Sequence, residues 1–123
     1  MPGTDRRNLS HRTAIQPGRA AAFLAMAILR KRGYTVIRSG GTSSPIHLVA
    51  WEDRDRPLSV RVQRSRRPVT GAADVVARWP DEIARLRAFP RARDGSVQFW
   101  IYCGQQGWQV YEVLPGGIAE VRE

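Results

Sequence analysis

The chain has 123 residues, enough for one domain around a single core. Its 42% hydrophobic and 25% charged content excludes an intrinsically disordered chain. The net charge is +9, and Lys31 is the only lysine among 20 basic residues. Arginine presents a planar fork that pairs with phosphate in bidentate fashion and stacks on bases, so the charge points to nucleic acid as the partner.

Residues 1–16 are basic, polar and without apolar periodicity, and are expected to form a flexible arm; 17–123 are expected to form the one folded domain. Arg6, Arg7, Arg12 and Arg19 precede the apolar run Ala20 to Leu29, a pattern that superficially resembles a secretory leader. Arg30-Lys31-Arg32 follows the run at once, and the run is too short to span a bilayer, so neither secretion nor a membrane partner is expected. Cys103 is alone, which excludes an internal disulfide and a cysteine-based metal centre and fits a cytoplasmic location.

Pro17-Gly18 opens a helix expected over Arg19 to Arg32, with Phe23, Leu24, Ala27 and Ile28 as its core stripe and Gly33 just past its end. Tyr34 to Arg38 reads as a strand, and Ser39 to Pro45 as a glycine-rich loop. Ile46 to Trp51 is a second strand, and the turn Glu52 to Arg56 leads into a third, Leu58 to Arg64. In that third strand Leu58, Val60 and Val62 alternate with Ser59, Arg61 and Gln63, which puts the polar set on the opposite face. A helical region from Ala72 to Phe89 is expected to break at Trp79-Pro80, because proline favours the first turn of a new helix. Trp79, at that break, is the tryptophan expected to be exposed, while Trp100 and Trp108 are expected in the core or at a dimer face. Val97 to Cys103 and Trp108 to Leu114 read as two more strands around the turn 104–107, and Ile118 to Val121 as an edge strand.

No phosphate-loop lysine, dinucleotide glycine motif or Ser-His-Asp arrangement is present, and His11 and His47 alone make no metal site. The order is helix, three-strand meander, helix, two strands: an α/β chain with a mixed sheet flanked by helices.

Four stretches in this order carry a resemblance: Gly18-Arg19 before the apolar helix, Gly33-Tyr34-Thr35-Val36-Ile37-Arg38-Ser39-Gly40-Gly41, Pro45-Ile46-His47-Leu48-Val49-Ala50, and Val60-Arg61-Val62-Gln63. Together they resemble the archaeal-type Holliday junction resolvases of the PD-(D/E)XK nuclease superfamily, by motif from about 18 to 67 and by element order beyond. The resemblance implies a restriction-endonuclease-like core, a DNA partner and a homodimer. It also implies an active site built from a glutamate on the first helix, an aspartate opening the second strand, and a glutamate and a lysine two apart on the third.

The matching positions here are Ala22, His47, Arg61 and Gln63. Mg²⁺, the cofactor such chemistry uses, takes hard oxygen ligands and normally needs carboxylates. A guanidinium opposes it: two unit charges about 4 Å apart interact by ~4 kcal/mol at an effective dielectric near 20, and a dication feels about twice that, here as repulsion. The expectation is therefore a scaffold without cofactor and without cleavage, a pseudoenzyme of DNA recombination or repair. It would hold DNA, branched or duplex, through Arg19, Arg38, Ser39, Arg61, Gln63, Arg64, Arg66 and Arg67. The alternatives are an active metal-dependent nuclease whose acids have moved, with Glu112 or the acids of turn 52–55 as candidates, and a subunit that binds a protein partner.

Overall fold

Two periodicities set the architecture: a strand period of two in the middle of the chain, and helical stripes on either side of it. The computed structural model describes residues 17–39, 44–54, 56–91 and 94–122; the arm expected over 1–16 lies outside them. The elements in chain order are α1 (Pro17–Lys31), β1 (Thr35–Arg38), β2 (Leu48–Trp51), β3 (Leu58–Arg64), α2 (Ala72–Arg78), α3 (Pro80–Ala88), β4 (Ser96–Tyr102), β5 (Trp108–Leu114) and β6 (Gly117–Glu120). A single turn of 3-10 helix, Gly104–Gln106, joins β4 to β5.

The strands form one sheet in the order β1-β2-β3-β4-β5-β6. Every neighbouring pair is antiparallel except β3 and β4, which run parallel. A parallel pair needs a crossover, and α2 with α3 supplies it. This mixed sheet between helices is the α/β architecture expected from the sequence.

Alternation sends Leu58, Val60 and Val62 to the face covered by α1, where they join Val36, Leu48, Ala50 and Trp100 in one core cluster. The opposite face packs Val97, Phe99, Ile101, Tyr111 and Val113 against Val75, Ile83 and Leu86 of α2 and α3. Burying a side chain of this size contributes roughly 1.5–3 kcal/mol each, so the two clusters supply most of the favourable term.

The helix ends form as their residues dictate. Gly33 has φ 97°, and the amides of Gly33 and Tyr34 donate to the carbonyls of Arg30 and Leu29 at 3.0 Å each. That is the paired closure a left-handed glycine permits. Pro80 occupies the first turn of α3, and Trp79 serves both as the end of α2 and the start of α3, its N–H donating to Val75 and its carbonyl accepting from Ile83.

The stripe of α1 differs from the expectation. Ala21, Ala22, Ala25, Met26 and Leu29 are buried, Ile28 is half-buried, and Phe23, Leu24 and Ala27 face outward. The small residues win because alanines let the helix backbone approach the sheet closely, and the larger side chains on the neighbouring stripe are then turned away. The expected exposure of Trp79 is also corrected. Trp79 packs edge-on against Phe99 at 5.5 Å and carries Arg78 over its ring at 4.5 Å. The exposed tryptophan is Trp51, at 42%.

Close approach at Ala25, which is fully buried, makes a direct test. Ala25→Leu adds three carbons where none fit, and such overpacking costs about 1–3 kcal/mol. The urea midpoint should fall accordingly. An unchanged or raised midpoint would mean that α1 does not sit tightly on the sheet.

Candidate nucleic-acid interface

Strand direction decides where the basic residues gather. β1, β3 and β4 all point the same way, so their C-terminal ends lie at one end of the sheet. Arg38 and Ser39 close β1 there, Arg64 closes β3, and the start of β2 with His47 lies between them, the Ser39 amide donating to the His47 carbonyl at 2.8 Å. The first turns of α1 reach the same end, since Arg38 lies 4.8 Å over the ring of Phe23 and Arg19 lies 6.0 Å from it. Arg64 sits 5.6 Å over Tyr102, and Arg66 and Arg67 continue from it, both exposed.

The loop that carries Arg66 and Arg67 is held from beneath. Arg78 donates to the Ser65 hydroxyl and to the carbonyls of Arg67 and Pro68, and pairs with Asp74 at 3.7 Å. The Ser65 hydroxyl donates to the Arg67 carbonyl. Gln109 clamps the far side of the loop: its carbonyl oxygen accepts from the Val69 amide at 2.9 Å, and its NH₂ donates to the Val69 carbonyl at 3.0 Å. Arg78 and Gln109 are supports of this loop that sequence reasoning misses, because nothing local marks the reach of Gln109 across 40 residues to Val69 or of Arg78 across 13 to Ser65.

The four positions that resemble an active site are only partly assembled. His47 and Arg61 come together. The His47 Nδ1 accepts from the Val62 amide at 3.0 Å, extending the β2–β3 ladder with a side chain. Burial, and next the Arg61 guanidinium, hold the His47 pKa below its usual value of 6.5. Arg61 donates to the Pro45 carbonyl at 3.2 Å, while its Nε is buried and finds no acceptor. Burial lowers the Arg61 pKa, Glu82 of α3 opposes that shift, and Arg85 adds to it. Gln63 lies two residues on, on the same face, with its NH₂ donated to the Arg64 carbonyl at 3.2 Å. Ala22 is not with them: it is buried beneath α1, across the sheet from Arg61. Glu112 faces that same α1 side, level with Gln98, and pairs with Arg56 at 3.6 Å.

No protein-family profile and no curated protein matches the sequence. Among solved structures, the Holliday junction resolvase of Archaeoglobus fulgidus, an archaeal hyperthermophile, superimposes with a TM-score of 0.60 at 21% identity. The match covers 80% of this chain and 74% of that one. The fold is resolvase-like.

A divalent metal of the kind this fold implies does not fit the residues present. The lone pair on His47 Nδ1 is taken by a backbone amide, Arg61 brings a positive charge bound to a carbonyl, and Ala22 brings no donor. Among the described residues no three His, Cys, Asp or Glu side chains come together in a way that would hold a metal ion. No helix among them is long and apolar enough to cross a membrane.

Burial, and next the Arg61 guanidinium, disfavour the charged imidazolium, so folding favours the neutral ring. The unfolded chain then binds more protons than the native one between the lowered pKa and 6.5. Stability should therefore rise with pH through that window and fall as pH drops below about 6.5. His47→Asn keeps an acceptor but cannot titrate. Denaturant midpoints taken from pH ~7 down to ~5.5 should fall further for the wild type than for the variant. Parallel curves would show that His47 does not couple folding to pH.

Proposed function

We propose that this protein binds DNA, branched or duplex, through arginine–phosphate contacts at the basic end of its sheet, and does not cut it. The observation that carries the reading is the convergence of Arg19, Arg38, Arg64, Arg66 and Arg67, from α1, β1, β3 and the loop after it, on one end of a resolvase-like fold. Guanidinium groups on three separate elements can meet phosphates of more than one strand, which a branched substrate presents. The Ser39 hydroxyl adds a neutral donor at the rim.

Arg61 and Gln63 serve this interface indirectly. Arg61 ties β3 to the segment entering β2 through the Pro45 carbonyl, which steadies the Ser39 and His47 side of the rim. One terminal nitrogen of the Arg61 guanidinium is thereby taken by a carbonyl. The missing acids supply the reason for inactivity: hydrolysis of this type needs a metal to polarise the phosphate and to lower the pKa of a water, and the ligands for one are gone. The named activity of the Archaeoglobus fulgidus neighbour supports a junction substrate. The exposed Ile37 and Trp51, on adjacent strands, support a homodimer, whose mass sedimentation equilibrium would read directly. A role in recombination or repair within the cytoplasm belongs to the same reading.

Counterion release sets the test. Log affinity for a four-way junction should fall linearly with log salt, with a slope of about −0.9 per phosphate neutralised. Arg38→Ala and Arg64→Ala should each weaken binding and make that slope shallower by about one. A flat salt response, or a slope untouched by both substitutions, would remove the proposal.

A further inference from the structure

We infer that Phe23 is a stacking seat for an unpaired nucleobase, which turns the basic end of the sheet toward DNA with bases outside the duplex. This rests on the nucleic-acid reading above and goes beyond it, since phosphate contacts alone do not distinguish paired from unpaired strands.

Phe23 is 50% exposed and its neighbour Leu24 is 45% exposed, on the stripe of α1 that faces away from the core. A single exposed apolar side chain is common on protein surfaces and carries no meaning alone. What sets Phe23 apart is its company. Arg38 reaches its ring from the end of β1, at 4.8 Å, and Arg19 approaches from one turn earlier in α1, at 6.0 Å. No acidic residue lies anywhere in α1 or β1. An apolar ring is thus set among cations, beside the Ser39 and His47 side of the rim.

Chemistry identifies the ligand. Every base has a π-face that stacks on an aromatic ring, with little regard to sequence, and the phosphates on either side of that base seek cations. Two guanidinium groups beside one ring offer both in a single place. Their contacts with the ring hold them near it before DNA arrives, and guanidinium planes stack on bases themselves. A base within a duplex has both faces covered by its neighbours. A base at a branch point, at a strand end or in a single strand has one free. An aromatic or apolar side chain at such a point also opposes restacking, as the inserted wedges of DNA-bending proteins do.

The experiment uses the full chain and fluorescence anisotropy at one salt concentration, with a labelled oligo-thymidylate single strand and a duplex long enough that its two ends are a small share of the binding sites. The variants are Phe23→Ala and Phe23→Trp. Phe23→Ala should weaken single-strand binding about tenfold, the loss expected when one stacked base loses its platform, and leave duplex binding within about twofold. Phe23→Trp should restore single-strand affinity, because an indole stacks at least as well. Phe23 is exposed, so neither substitution disturbs the core. Equal losses on both ligands, or no loss on either, would overturn the inference. A wild type that binds neither ligand sinks the nucleic-acid reading along with it. A wild type that binds both, with Phe23→Ala neutral, sinks the stacking seat alone. Anionic phosphatidylserine vesicles are the remaining arm: vesicle binding lost in Phe23→Ala while oligonucleotide binding persists would make the ring a membrane contact and overturn the inference as well.

Discussion

The parallel pairing of β3 with β4 is the contact on which the rest of the fold depends. It runs without a break from Leu58 opposite Ser96 to Arg64 opposite Tyr102. It joins a meander of β1 to β3 to a second one of β4 to β6, and no other strand pairing links the two. Both faces of the pair are covered. Val60, Val62 and Trp100 face α1, while Phe99 and Ile101 face α2 and α3. A parallel pair in mid-sheet forms only when a crossover and both helical layers are in place. The two core clusters therefore form together or not at all.

That same pairing creates the functional end. Because β3 and β4 are parallel and β1 points with them, three strand termini come out at one end of the sheet, with the start of β2 between the first two, and each delivers a basic or aromatic residue: Arg38, Arg64 and Tyr102. The crossover then returns beneath, so that Arg78 at the end of α2 sits under the loop that follows β3 and holds its carbonyls. Basic residues scattered from Arg19 to Arg67 come to one end of the sheet. Midway along β3, Arg61 lies half-buried on the face toward α3. One of its guanidinium nitrogens donates to the Pro45 carbonyl, and the His47 ring accepts from the Val62 amide in the sheet ladder.

Much of this was legible from local signals. The alternation of 58 to 64 marked both the strand and its buried face. Gly33 marked the end of α1, and Pro80 the break between α2 and α3, because each residue type tolerates a backbone state that others resist. What stayed hidden depended on contacts between distant segments. The stripe of α1 is two-sided by hydrophobicity, and only the closeness of the sheet selects alanines over Phe23 and Leu24. The burial of Trp79 follows from Phe99 lying across from it. Glu112 had no preferred face until its register with Gln98 set one. That Arg61 and Gln63 share one face of β3 was readable from the alternation, whereas the position of Ala22 across the sheet from them was not.

The proposal at stake is that this protein binds DNA at the basic end of its sheet and does not cut it. The most direct test mixes saturating protein with an end-labelled four-way junction and Mg²⁺ or Mn²⁺, then resolves the strands on a denaturing gel. Bound junctions whose strands all remain full length are the expected result. Metal-dependent nicks near the branch point, persisting through repurification and abolished by Glu112→Ala, would contradict it.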